Sequence, residues 1–557
     1  EYGESMLDHI DGQFAFAIYD LKKRTLMLAR DRIGIAPLHW ARRGDMLYFG
    51  SEIKAILASG EVTPEADPQG LDHIFTFFAM GTRRTAFKDI HAVHPASSLR
   101  IQWPDGDGTA SVVERRYWDL EFPDQGDERN PRDGRQLQEE FEATFKRAVE
   151  IRLRADVPVV GYLSGGVDST TVMLTASEVK GEPIPAFTIQ IVAEGLDETD
   201  RALMAAERIG SRPTIARCDS DVISAAYPRL IEAAEAPVMD PACSALYCLA
   251  REVRSQGYKV ALTGEGADDW LAGYPWFKSG KILGALDWGS VSPGNWLRRW
   301  ALRRNSPEVS WDHFAKLQDR LGGPNGFGDL YGMVSLSRHR FYSEQMWRGI
   351  GEHTAWDDLD LNTDGLRRWH PLNRALYLGY KTMLSGLLMN HKGDRPAMHN
   401  SVETRYPFLD LNFINFCAQL HPRWKLRGFR RDKHLLRQYA GKILPDCIAN
   451  RPKAMFRAPF ANTFFSNPPA FVDQLISEES LRKTGYFSLE KIQHYRAIYN
   501  DYAWRDSGKK LVAEMGLTGV MATQMWHHIF LGGGLCDLPT WSPDEQPAVD
   551  VSALRAT

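Results

Sequence analysis

An α/β protein built on a doubly wound parallel sheet with extra helices, preceded by a smaller α+β unit, is what this sequence predicts, and three observations carry the prediction. From Leu137 onward, short β-branched runs alternate with segments of helical period, the pattern of a parallel sheet flanked by helices. One strand-to-helix junction, Tyr162-Leu163-Ser164-Gly165-Gly166-Val167-Asp168-Ser169-Thr170, carries no side chains at its tip, so that backbone N–H groups there are open to approach. Upstream, strands dominate, and the two regimes are separated by Glu121 to Arg135, rich in Pro, Gly, Asp and Arg with almost no apolar residues, which marks a domain boundary.

Taken in order, Phe14 to Asp20 and Thr25 to Asp31 read as two strands joined by the charged turn Leu21-Lys22-Lys23-Arg24, a hairpin. Met46 to Gly50 reads as a strand, Glu52 to Ser59 and Leu71 to Phe78 as helices, and Ser98 to Gln102 with Ser111 to Tyr117 as a closing strand pair. These elements form a first unit over residues 1–120, with 121–136 as linker. In the second unit, 137–532, Leu137, Phe141, Phe145, Val149 and Leu153 recur every four residues and mark one helix face. Strands follow at Val157 to Leu163, Ala186 to Ile191, Thr214 to Cys218 and Lys259 to Leu262, with helices between them, and from about 280 to 530 the pattern is mostly helical. Residues 533–557 turn Pro- and Asp-containing and are expected to be a mobile tail.

The junction after Leu163 has the chemistry of a phosphate cradle. Gly165 and Gly166 leave the backbone donors uncovered, the following helix presents its positive end, and Ser164 and Ser169 add hydroxyls. Asp168 would repel phosphate unless a cation lay between them, which argues for Mg²⁺. Thr263-Gly264-Glu265-Gly266-Ala267-Asp268-Asp269 leaves its own strand in the same way, so two loops are expected to converge and to let Asp168 and Asp268 share Mg²⁺. Lys392-Gly393-Asp394-Arg395, read alone, is a solvated charged face, and Arg405 with Asp410 a structural ion pair.

With 67 basic and 71 acidic residues the formal net charge is −4. No basic field recommends nucleic acid or an acidic membrane as partner, and small molecules are expected instead. Cys218, Cys243, Cys248, Cys417, Cys447 and Cys536 show no CxxC or Cys/His metal spacing and are expected to be free thiols in a reducing compartment. No apolar run near 18 residues occurs, so the expected location is the cytoplasm. The chain starts at Glu1 in mid-pattern without a methionine, as if residues upstream were missing.

Four motifs in order, SGGVDS, TGEGADDWLAGY, KGDR with SVETRYPFLD, and RPKAMF, resemble those of the glutamine-hydrolysing asparagine synthetases. DGQFAFAIYD, LARDRIGIAPLHW, FGSEIKAIL and TAFKDIHAVHP resemble the second half of that family's class II glutamine amidotransferase domain, an N-terminal-nucleophile glutaminase. The resemblance implies an ATP-pyrophosphatase fold for 137–532 and a ligase that uses ATP and Mg²⁺ to adenylate the side-chain carboxylate of aspartate, then transfers ammonia from glutamine to give asparagine, AMP and pyrophosphate. Carried over residue by residue, it implies that Leu163, Ile189, Thr263 and Gly264 line the nucleotide and that Ser164, Gly165, Gly166, Asp168 and Ser169 hold pyrophosphate. Asp168 and Asp268 would hold Mg²⁺, Glu265 and Glu403 would lie near the acceptor and the incoming amine, and Lys453 would face the phosphates. The family's nucleophilic cysteine lies upstream of Glu1, and the KVDR…SM run of the family reads differently here at Ala397 and His399. A related ligase acting on another carboxylate, β-lactam synthetase-like or peptide-cyclising, is the alternative, although those β-lactam relatives carry tyrosine at the position of Glu265. A non-catalytic nucleotide-binding homologue would be expected to lack Asp168, Asp268 or Lys453. A homodimer is one option for the assembly.

Overall fold

The structure, a computed structural model, describes residues 2–104, 109–287, 292–305, 309–334, 337–452, 455–502 and 507–543. The hairpin expected at the start is β1 (Ala15–Asp20) with β2 (Thr25–Arg30), in register from Ala15 opposite Arg30 to Asp20 opposite Thr25. Strands β3 (His39–Arg43), β4 (Met46–Gly50) and β5 (Ile90–Ala92) make a three-stranded antiparallel sheet in the order β4-β3-β5. Strands β6 (Ser97–Gln102) and β7 (Ser111–Arg116) complete a four-stranded antiparallel sheet, β1-β2-β6-β7. The loop after β2 is knotted by one carboxylate: Asp31 accepts the N–H groups of Ile33, Gly34, Ile35 and Ala36.

The second unit is built on five parallel strands: β8 (Val159–Tyr162), β9 (Ala186–Ile191), β10 (Thr214–Cys218), β11 (Val260–Leu262) and β12 (Glu403–Arg405). Their order is β10-β9-β8-β11-β12. The chain winds outward from β8 through β9 to β10, then returns to place β11 on the other side of β8. The junction of β8 and β11 is therefore the switch point, where loops from opposite windings diverge and leave a crevice at the strand carboxyl ends. The fold class is the one the sequence predicts, with β12 added: SVETRYPFLD contributes a short fifth strand.

The two units share one apolar interior. Phe75 and Phe87 of the first unit pack on Tyr342, Phe487, Trp526 and Phe530 of the second. Gly519, in the last helix Ser507–Leu531, has no room for a Cβ against Phe75 and Met239. Polar ties cross the same boundary: the buried Glu235 carboxylate accepts the N–H groups of Ile53 and Lys54 at 2.8 and 2.7 Å and pairs with Arg395. The segment expected to be a linker is packed as well, with Phe122 and Glu128 buried and Arg129 bonded to Gln419 and His421 through the backbone. Past Gly532 the chain stays docked as far as Trp541, whose N–H donates to Ile529, while Leu535 is buried; 544–557 lie outside the described residues. No described helix is long and apolar enough to cross a membrane, and none of the six cysteines is in a disulfide.

At this boundary the helix Pro371–Gly379 runs on as a π-helix, Tyr380–Asp394, packed so closely on the first unit that a Cβ at Gly386 would lie 2.9 Å from Ala79. Its last residue is partly buried. Burial, then the nearby Asp31 carboxylate, push Asp394 from an ordinary 3.8 up to about 7, against the pull of Arg30. Between those values the unfolded chain is ionised and the folded chain protonated, so the group lowers stability as pH rises from 3.8 to 7, with the full cost present above 7. Asp394→Asn should therefore raise the denaturation midpoint at pH 8 by an amount equivalent to about 4 kcal/mol at most, and leave it unchanged near pH 4. Equal gains at both pH values would show that packing, not charge, is responsible.

Candidate active site

The loop after β8 is folded around its own hydroxyls. Leu163 N–H closes the strand by donating to Phe187. Ser164 N–H then donates to Ser169 Oγ at 3.1 Å, the two serine hydroxyls lie 3.0 Å apart, and Gly166 N–H donates to Ser164 Oγ. Gly165 adopts a left-handed φ of 68°, and a Cβ there would lie 2.5 Å from the Arg201 backbone, so glycine is required on two counts. The helix Val167–Lys180 begins immediately, and its first turn, Val167, Asp168 and Ser169, lines a cavity of ≈ 170 Å³.

The loop after β11 closes on the first with no space between. Thr263 N–H donates to Arg405 of β12 at 3.0 Å, and Thr263 Oγ1 accepts the N–H of Glu265. A Cβ on Gly264 would lie 2.7 Å from the Ser169 backbone N. Gly264→Ala must push the two loops apart, and we expect a cost of about 1–3 kcal/mol. A variant with an unchanged denaturation midpoint would show that the loops do not need this contact.

The two aspartates converge on a third group. Lys433 Nζ lies 2.5 Å from Asp168 Oδ2 and 2.6 Å from Asp268 Oδ1, and its side chain is fully buried. The lysine sits in a left-handed turn, φ 50°, before the helix His434–Ile443, with its N–H donating to Leu271. Among the described residues no cluster of three or more His, Cys, Asp or Glu side chains makes a complete metal cage. Two carboxylates near enough to grip one ammonium do fit a hard cation that takes its other oxygens from phosphate and water.

The same cavity is lined by Leu163, Ser164, Gly166, Asp168, Ser169, Ile189, Thr263, Gly264, Glu265 and Asp268. Gly165 lies behind it, with its carbonyl facing Arg451 at 3.3 Å. Lys453 lies outside the described residues, although Arg451, Pro452 and Phe456 on either side of it border the cavity.

Glu403 is elsewhere. The parallel register sets it beside Val260, at the amino end of β11, whereas the cavity opens beyond Leu262; its half-exposed carboxylate pairs with Arg405 at 2.6 Å. From that strand it is Thr404, together with Tyr406, that reaches the cavity, the two hydroxyls 2.6 Å apart. Asp410 is not the partner of Arg405: it pairs with Arg152 at 2.9 Å and caps the helix Leu411–Gln419.

KGDR is not a solvated face either. Lys392 and Gly393 line the cavity from the end of the π-helix, and Lys392 Nζ meets Asp240 at 3.0 Å. Burial works against its charge, but Asp240, Cys243 and Glu265 around it prevail and raise its pKa. Burial raises Tyr406 well above the usual phenol range, so its hydroxyl stays protonated. Lys433 carried no signal in the sequence, being 265 residues from Asp168 in a run of ordinary charged residues.

A glycine-tipped loop at a helix N-terminus, at the switch point of a parallel sheet and faced by a second carboxylate-bearing loop, defines a doubly wound α/β protein with its ligand site at the strand carboxyl ends. Residues 140–528 match the family model described as asparagine synthase, and residues 1–118 that of a glutamine amidotransferase domain. The chain belongs to the asparagine synthase family. It is 28% identical to "Amidase chyE" of Penicillium rubens over 87% of this chain and 75% of that protein. It is 29% identical to a putative glutamine-hydrolysing asparagine synthetase of Mycobacterium tuberculosis over 82% of this chain and 68% of that protein. For the glutamine-hydrolysing asparagine synthetase 1 of Bacillus subtilis the figures are 26%, 86% and 72%.

Proposed function

We propose that the protein is an ATP-dependent, amide-forming ligase: a carboxylate oxygen of the acceptor attacks the α-phosphorus of ATP, pyrophosphate leaves, and ammonia displaces AMP to give the amide. The observation that carries this reading is the meeting of the SGGVDS loop, the Asp168–Lys433–Asp268 cluster and Glu265 in one cavity. Backbone N–H groups and the helix N-terminus at Ser164 to Ser169 bind the β and γ phosphates. Asp168 and Asp268 would hold Mg²⁺, which supplies neutralising charge on the phosphate oxygens. Leu163, Ile189 and Phe187 offer the nucleoside an apolar wall. Glu265 takes the proton that the attacking amine releases, and Lys453 stabilises charge on the departing groups.

Aspartate is the leading acceptor. Its rival is another small carboxylic acid, because an amidase stands among the similar proteins and acceptor choice rests on few pocket contacts. The test is incubation with ATP, Mg²⁺, ammonium and a panel of carboxylic acids, with the amide identified by mass spectrometry and the phosphorus products by NMR. AMP and pyrophosphate should appear in step with one amide. ADP with orthophosphate would overturn the adenylation route, and amidation of an acid other than aspartate would replace the acceptor alone.

A further inference from the structure

The first turn of the helix His434–Ile443 carries a buried guanidinium with an unusual set of partners. Arg437 Nε donates to the Asp432 carboxylate and carbonyl, and Nη2 to the same carboxylate at 2.5 Å. Its Nη1 reaches across to a different segment and donates to the carbonyls of Ala449 at 2.9 Å and Arg451 at 2.8 Å. The Asp432–Lys433 corner is a fixed body: Lys433 N–H bonds to Leu271, its ammonium lies between two aspartates, and Asp432 pairs with Lys278. The described residues after Ala449, 450–452, lie in no strand or helix, and Lys453 follows them in the sequence. Beyond Arg437, it is tied by the Arg451 side chain, which pairs with Glu198 and donates to Gly165.

We propose that Arg437 is a positioning residue that sets the loop running to Lys453 against the fixed Asp432–Lys433 corner. The inference rests on the reaction proposed above. A planar fork with donors pointing in two directions can hold two carbonyls on one side and a carboxylate on the other; a lysine ammonium cannot. Loss of that geometry matters because a shift of about 1 Å in a reacting group costs on the order of a hundredfold in rate.

The test is a double-mutant cycle on turnover at saturating ATP. Arg437→Lys should lower turnover about a hundredfold in the native protein, and by no more than about threefold once Lys453 is already methionine, since the loop then has nothing left to position. Equal losses in the two backgrounds, no loss in the native protein, or a neutral Lys453→Met would each overturn the inference. Hydrogen exchange adds a readout independent of catalysis: in Arg437→Lys, amides of 446–451 should exchange faster while those of 430–434 stay protected. Unchanged protection of 446–451 would overturn it. Asp432→Asn, which weakens the same fork without touching Arg437, should give both effects at smaller size and serves if Arg437→Lys does not fold. If the native protein makes no amide from any acid tried, the proposed reaction fails, whereas the exchange result still decides whether Arg437 holds the loop.

Discussion

Lys433→Met is expected to abolish turnover and to destabilise the fold, and added Mg²⁺ is expected to recover part of the lost stability. The native ammonium neutralises two carboxylates that are themselves largely buried, Asp168 and Asp268. Methionine matches the chain length but takes the ammonium from between them, and removing one partner of a buried ion pair typically costs about 3–5 kcal/mol. The deficit rests on the two carboxylates being ionised, so it should be largest at neutral pH and shrink as pH falls toward 4. Mg²⁺ enters because the vacated position is then a site with two carboxylates and no competing ammonium. Denaturation midpoints measured with and without Mg²⁺ should rise more for the variant than for the native protein. Equal rises would mean that the ammonium and Mg²⁺ do not compete for the two carboxylates.

Glu265→Gln is expected to separate the two halves of the reaction. The side chain leaves a glycine-flanked loop into the cavity, on the side where Lys392 reaches in from the π-helix. A positioned general base contributes about 10²–10⁴-fold, and its loss falls on the step in which the amine gives up a proton. Pyrophosphate exchange into ATP reports adenylation alone, whereas amide yield reports both steps. Exchange should persist when amide formation has dropped by two orders of magnitude or more. Parallel loss of both activities would make Glu265 a nucleotide-binding group.

These two predictions draw on information of different kinds. Glu265 and Asp168 are visible in the sequence because each belongs to a contiguous run in which strand, glycine and polar residue follow within a few positions. Such a run specifies its own local shape: β-branched residues extend, glycine reaches a left-handed φ at Gly165, and the next helix starts where the glycines end. The hairpin of β1 and β2 is legible for the same reason, since its alternation and charged turn lie within one short stretch. Strands β3 and β5 are not, because each is short and gains its place from partners rather than from its own period.

Lys433 belongs to the other kind. Nothing in Arg430-Arg431-Asp432-Lys433-His434 distinguishes a buried, cavity-lining ammonium from a solvated charge run, because the difference lies in Asp168 and Asp268, brought in by the helix starts that follow two separate strands. KGDR is misread on the same ground: four polar residues look solvated until a neighbouring unit covers Asp394 and a cavity takes Lys392. Glu403 errs in the opposite direction, since its motif is present and the register of a three-residue strand turns it away from the cavity. By itself, then, the sequence determined the parallel α/β fold, the two glycine-tipped loops and the carboxylates they carry, all properties of local backbone preference. Only the tertiary structure decided which charges meet, because taking Lys433 and its two aspartates out of water carries a desolvation cost that their mutual attraction must offset, and burial is a property of the whole chain.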